Sequence, residues 1–143
     1  MVNVLVDTGA WYALCDPRDT TVPRSTIEDI YRRLEVYRVI LPWPIAYETL
    51  RTSFVKNRLA LERFEHEAKK LNIDLFDDRS YRERAYQLVF ESGLRRGRPL
   101  SMVDCLLRLL IEDDHVRIDG MITFNLRDFV DVCRKRRIEL WVN

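Results

Sequence analysis

Close to its start the chain sets an apolar run, Val4-Leu5-Val6, against a single carboxylate, Asp7, and follows it with Thr8-Gly9-Ala10-Trp11-Tyr12-Ala13-Leu14. A short β-favouring run closed by an acid and a turn-permissive Thr-Gly reads as a buried strand passing directly into a helix. In an open α/β sheet the carboxyl end of a central strand is where ligands bind, and Asp7 stands there. The plainer reading of the same residues is a helix cap, in which a short polar side chain accepts from free backbone N–H groups. Deciding between them requires other acids at corresponding positions.

The rest of the chain alternates in a way that supports the strand. Ile27, Ile30, Tyr31, Leu34 and Tyr37 fall at helical spacing within Thr26 to Tyr37, and Val39-Ile40-Leu41 is a second strand stopped by Pro42-Trp43-Pro44. Pro44 suits a helix start, and Ile45 to Asn57 is expected to be one helix with Ala46, Leu50, Ser53 and Phe54 on one side. A further helix carries Leu61, Phe64, Ala68 and Leu71, with His66 and Lys69-Lys70 on its wet side, before a third strand, Ile73 to Phe76. Tyr81, Ala85, Leu88 and Val89 define a helix that Gly93 is expected to end. Ser101 to Ile111 is the clearest helix, with Val103, Leu106, Leu107, Leu110 and Ile111 on one stripe. Glu112-Asp113-Asp114 reads as a solvated run at its end. Met121 to Phe124 is a fourth strand, Asn125 caps a helix from Leu126 to Arg137, and Ile138 to Val142 alternates as a fifth strand. Strands alternating with helices predict a three-layer α/β/α sandwich around a mainly parallel sheet, with residues 1–143 as one domain.

Composition limits the chemistry. Cys15, Cys105 and Cys133 are scattered and lack CxxC spacing, so they read as buried apolar residues and form neither a disulfide framework nor a zinc site. Two histidines, His66 and His115, leave little material for a His-rich metal cage or a Ser-His-Asp triad. Four glycines are too few for a phosphate-cradling loop. No apolar run approaches a membrane span and no signal-peptide layout opens the chain, so a cytoplasmic location is expected. Net charge is +1, yet of 24 basic residues twenty are arginine. Arg95, Arg96 and Arg98 form one cluster that could contact phosphate, and Arg134 to Arg137 another, although compositional bias accounts equally for the abundance.

The chemistry therefore rests on carboxylates. Glu48 lies in the first turns of the helix after the second strand, where a surface acid would also be favoured by the helix dipole. Asp104 borders the apolar stripe, and Ser101-x-x-Asp104 also matches a capping-box variant. Asn125 and Asp128 open the last helix as a cap-like pair. A parallel sheet gathers these positions with Asp7 at one edge, where clustered carboxylates repel unless a cation holds them, and hard oxygen ligands suit Mg²⁺ or Mn²⁺.

Val4-Leu5-Val6-Asp7-Thr8, Ala46-Tyr47-Glu48, Leu100-Ser101-Met102-Val103-Asp104 and Ile122 to Phe129 stand in an order and at spacings that resemble the PIN-domain family, specifically the VapC-type toxin ribonucleases of toxin–antitoxin pairs. The resemblance spans nearly the whole chain. It implies an α/β/α fold, Mg²⁺- or Mn²⁺-dependent RNA cleavage, frequent homodimers and inhibition by a small antitoxin. By matching motifs, Asp7, Glu48 and Asp104 are the metal-binding acids, Thr8 and Ser101 their supports, and Asn125 or Asp128 the fourth site residue. Where many relatives carry Asp, this chain has Asn125, which bears on a second metal. A PIN-like RNA-processing nuclease, or a non-catalytic module binding RNA or a partner, is the alternative. Trp11, Tyr12, Trp43 and Tyr47 are expected either in the core or on a surface that takes the antitoxin. The Asp-Thr-Gly of retroviral-type aspartic proteases belongs to an almost entirely β fold, and Gly9 stands where a haloacid-dehalogenase-like phosphatase needs its second acid.

Overall fold

The computed structural model describes residues 1–141. Its strands are β1 (Asn3–Val6), β2 (Arg38–Pro42), β3 (Asn72–Phe76), β4 (Gly120–Ile122) and β5 (Glu139–Trp141). All neighbours pair in parallel, in the order β3-β2-β1-β4-β5. Val4 and Leu5 of β1 face Val39 and Ile40 of β2 on one side and Gly120 and Met121 of β4 on the other. Val142, the expected end of the fifth strand, lies outside the described residues.

The helices are α1 (Thr8–Cys15), α2 (Arg24–Leu34), α3 (Trp43–Thr49), α4 (Thr52–Val55), α5 (Arg58–Lys70), α6 (Arg82–Phe90), α7 (Met102–Glu112) and α8 (Leu126–Lys135). α1 packs on α3 and α5, whereas α6 packs on α7 and α7 on α8, giving the α/β/α sandwich. Parallel crossovers are right-handed, so connections running from β1 towards β3 and those running back to β4 and β5 occupy opposite faces. The direction reverses between β1 and β4, and that switch point opens a crevice beyond their carboxyl ends.

The strands read as near-continuous apolar runs because both faces are covered. Val4, Leu5, Val6, Met121 and Ile122 are completely buried, together with Leu107 and Leu110 of α7 and Phe129 of α8. Trp11 belongs here too, at 1% exposure and edge-on to Phe64, so it is core and offers nothing to a partner. The cysteines are free and buried, as expected; burial pushes the Cys15 thiol up to about 12 and the Cys133 thiol to about 11. Among the described residues no helix is long and apolar enough to cross a membrane.

Four local expectations are corrected. The helix expected over 45–57 is two, α3 and α4, broken at Leu50 and Arg51, and only Ala46 and Phe54 of its expected stripe are buried. The phenol of Tyr12 donates to the Glu48 carbonyl at 2.7 Å, taking the acceptor that Thr52 N–H would need to continue the helix. Gly93 does not end α6; the chain widens into a π turn, Glu91–Arg95, closed by Arg96 N–H on Glu91 O at 3.1 Å. The left-handed residue is instead Gly97, at φ +64°, where a side chain would be strained. Asp113 is not merely solvated: it accepts from the Tyr81 hydroxyl at 2.5 Å and from the His115 N–H at 2.9 Å. The fourth strand stops at Ile122, which leaves Thr123 free to enter the crevice.

Sequence periodicity did not reveal Glu67, which is 2% exposed on the core face of α5 and paired with Arg63 at 3.1 Å. Removing the partner strands a desolvated charge, whereas replacing both does not. Arg63→Leu should cost about 2 kcal/mol, and Arg63→Leu with Glu67→Leu should recover most of it. Urea denaturation of the two variants checks this; equal losses would mean that Glu67 does not depend on Arg63.

Candidate active site

The crevice between β1 and β4 is lined by acids from four elements. Asp7 follows β1 directly and is 8% exposed. One of its carboxylate oxygens accepts from the Thr8 N–H at 2.8 Å, and the other accepts from the Thr123 hydroxyl at 3.0 Å. The capping role is therefore real, but a cap needs only one oxygen, and the second is fixed from across the switch point. Thr123, fully buried, also accepts from the Asn125 N–H at 3.0 Å. Sequence reading passed over Thr123; the available signal was a polar residue closing an apolar strand.

Glu48 arrives on α3, whose start is set by Pro42 and by Pro44 in its first turn. The Thr8 hydroxyl donates to Glu48 Oε1 at 2.7 Å, so the residue beside one acid orients the next. Asp104 is in the first turn of α7, and the Ser101 hydroxyl accepts its backbone N–H at 3.0 Å. Because that cap uses the backbone, the Asp104 carboxyl is not consumed by it. Thr8 and Ser101 thus stand next to the acids they were expected to support.

Asn125 occupies the N-cap position of α8 but does not cap through its side chain. Its amide nitrogen instead donates to Asp128 Oδ2 at 2.6 Å, turning one carboxylate oxygen of Asp128 towards the amide. The cap-like pair expected here is real in position and different in chemistry. A short polar side chain can hydrogen-bond a neighbouring carboxylate as readily as a backbone N–H.

Electrostatics join these residues. Burial raises the pKa of Asp7, and the charges of Glu48 and Asp128 add to the rise, against hydrogen bonds from Thr8 and Thr123. Burial first, then Asp7, Asp128 and Glu48, pushes Asp104 up to about 6 despite its contact with Ser101. The charges of Glu48 and Asp128 thus act on both Asp7 and Asp104. Among the described residues no group of three or more His, Cys, Asp or Glu is placed so that it could hold a metal ion as it stands. The donor set is nonetheless all carboxylate, held close enough for mutual repulsion, which is the chemistry a hard divalent cation relieves.

The expected arginine cluster divides. Arg98 donates to the Arg127 carbonyl at 2.8 Å and pairs with Asp131 at 3.3 Å. Asp131 also receives Arg108 at 2.7 Å, and Arg108 holds the Asp128 carbonyl at 2.8 Å, so Arg98 is tied into the α7–α8 wall of the crevice. These pairings hold the Asp131 carboxyl well below the usual range. Arg95 and Arg96 are exposed and line a separate surface hollow with Gln87, Phe90 and Glu91.

Because Asp104 titrates near 6 when folded against 3.8 ordinarily, the native chain holds a proton that the unfolded chain has released between those values. Lowering the pH from about 7 to about 4 should therefore stabilise the metal-free protein through this group, by about 1–2 kcal/mol after allowing for solvent at its half-buried carboxyl. The gain is lost as the pH rises through the folded value. Asp104→Asn should remove it, seen as a flatter difference between the two proteins in urea denaturation with a chelator across that range. Parallel profiles would show Asp104 to be ordinary.

No family model matches the sequence, and no curated protein matches it either. Among solved structures, a chain of VapBC2 from Rickettsia felis, in a complex bound to a DNA fragment from its promoter, is similar with a TM-score of 0.64. The match covers 99% of this chain and 99% of that one at 13% identity. The likeness extends to the whole fold, and the five-stranded parallel sheet with its two helical layers is the PIN-like arrangement.

Proposed function

We propose that this chain is a divalent-metal-dependent endoribonuclease of the PIN-domain type, acting as the toxin of a toxin–antitoxin pair. The observation that carries the reading is the placement of four acids, Asp7, Glu48, Asp104 and Asp128, from four elements at the sheet's switch point, with short polar side chains beside them and with the pKa values of Asp7 and Asp104 raised by burial and by their neighbours' charges. The shared fold with a chain of VapBC2 supports it, as do the four motifs in family order.

Asp7, Glu48 and Asp104 would hold Mg²⁺ or Mn²⁺, which when bound supplies a water of lowered pKa and charge neutralisation at a phosphodiester. The chain's own residues prepare that site. Thr123 and Thr8 N–H fix Asp7, the Thr8 hydroxyl fixes Glu48, and Ser101 fixes the helix end that carries Asp104. Asn125 orients Asp128, which serves as the fourth acid. Arg95 and Arg96, exposed ahead of α7, provide phosphate contacts away from the acids, and Arg98, expected to join them, is engaged by Asp131. The protein acts in the cytoplasm as a homodimer, and a small antitoxin silences it. Trp43 and Tyr47, 42% and 77% exposed on α3, belong to the surface that partner covers.

Asp104→Asn keeps the backbone cap and removes the charge, so it should fold as well as wild type while RNA cleavage falls about 100-fold or more. Cleavage of a mixed RNA pool with Mn²⁺, followed by gel, checks this; undiminished cleavage would return Asp104 to a structural role.

Asp7→Asn should weaken Mg²⁺ and Mn²⁺ binding in calorimetric titration. Expression of the chain alone should arrest growth, and the adjacent small reading frame should relieve the arrest by forming a stable complex. A folded, metal-binding chain that is harmless on expression would instead point to RNA processing or a non-catalytic role.

A further inference from the structure

A cleft built from carboxylates must admit a polyanion. A metal neutralises one phosphate, and the flanking phosphates of a strand need fixed cations close by. Four arginines near the site are already committed: Arg82 to Asp78 at 2.9 Å, Arg79 to Asp77 at 2.8 Å, and Arg98 and Arg108 to Asp131.

Arg51 differs. It sits at the break between α3 and α4, three residues past Glu48, exposed to solvent and, among the described residues, without a carboxylate within ion-pair distance. Its guanidinium lies 5.0 Å from the centre of the Tyr12 ring. The hydroxyl of that same Tyr12 donates to the Glu48 carbonyl, the contact that ends α3. One tyrosine thus anchors the backbone of a site acid and supplies the face over which a cation rests. The guanidinium also meets the Tyr12 hydroxyl, so one of its edges is held by the tyrosine while its remaining N–H groups face solvent and can contact phosphate. Arg95 and Arg96 are exposed as well, but they share a surface hollow with Phe90 and Glu91.

We propose that Arg51, positioned by Tyr12, is the residue that anchors a phosphate of the substrate strand beside Glu48. The proposal rests on the ribonuclease reading above and deepens it.

The test uses the full chain carrying Asp104→Asn, which suppresses cleavage, with Mg²⁺ and a single-stranded oligoribonucleotide of mixed sequence titrated at several salt concentrations. Adding Arg51→Gln should weaken binding roughly tenfold and flatten the log–log salt slope by about 0.7, the loss of one phosphate contact on a single strand. Arg51→Lys should restore the slope and only part of the affinity. Tyr12→Phe, which keeps the ring and removes the Glu48 contact, should leave the salt slope in place, whereas Tyr12→Leu, which removes both, should flatten it as Arg51→Gln does; a slope that falls equally in both tyrosine variants would refute positioning by the ring. If the parent binds the oligonucleotide and Arg51→Gln leaves affinity and slope unchanged, the anchor is refuted and the ribonuclease reading stands. If the parent binds no RNA, both fall.

Discussion

Everything at the crevice depends on the hydrogen bond from Thr123 to Asp7. It crosses from the end of β4 to the end of β1, the two strands between which the chain reverses direction. A buried carboxylate costs free energy unless its oxygens are satisfied, and Asp7 has one donor from its own helix start and one from across the switch point. The same hydroxyl then accepts the Asn125 N–H, so the start of α8 is set by the bond that orients Asp7. From that fixed point the site extends outward through short polar side chains: Thr8 to Glu48, Ser101 to the turn bearing Asp104, and Asn125 to Asp128. These donors have few rotatable bonds, so they hold the acids at little cost in side-chain entropy.

Much of this was legible in the sequence because its cause is local. A strand buried on both faces must be apolar throughout, which made Val4-Leu5-Val6 and Met121-Ile122 readable. The stripe of α7 was readable because Leu107, Leu110 and Ile111 are buried in the main core and Leu106 in a smaller one with Ala85 and Leu100. The acids were legible as positions at strand ends and helix starts, where a parallel sheet converges. What escaped depends on contacts between distant residues. Nothing near Leu50 forbids a helix, and the break exists because a phenol from α1 reaches the Glu48 carbonyl. Gly93 has the composition of a helix end, but the carbonyls of Glu91 and Ser92 bind N–H groups five and six residues on and stretch the turn to Arg96. Asn125 looked like a cap because the pattern cannot tell an amide oxygen that accepts a backbone N–H from an amide nitrogen that donates to a carboxylate.

The wall opposite Glu48 is built differently. Asp131 receives Arg98 from the loop before α7 and Arg108 from within α7, while Arg108 also grips the carbonyl of Asp128. Three segments that carry or flank site residues are therefore joined at one carboxylate. Arg108 has only 13% of its side chain exposed, so this contact is shielded and stronger than a surface pair of the same length. The arrangement places a cation one helical turn from Asp104 without letting it neutralise the site, because its donors are already engaged.

That economy applies to the whole surface of an arginine-rich chain whose 24 basic residues are nearly matched by 23 acids. Arg24, Arg58 and Arg63 pair with acids one turn on, Arg38 with Asp74, Arg84 with Glu91 and Arg136 with Asp114. Paired charges cancel within a few ångströms and contribute little beyond a Debye length of about 8–10 Å. The chain therefore lacks the broad positive field that would draw in nucleic acid from a distance, and recognition of a polyanion falls to the few cations left unpaired. Their effect depends on place, since a mobile cation loses side-chain entropy on binding whereas one already rested against a ring loses less. In a molecule whose arginines mostly neutralise its own acids, a free guanidinium fixed beside the carboxylate cleft has far more influence on what enters than the composition suggests.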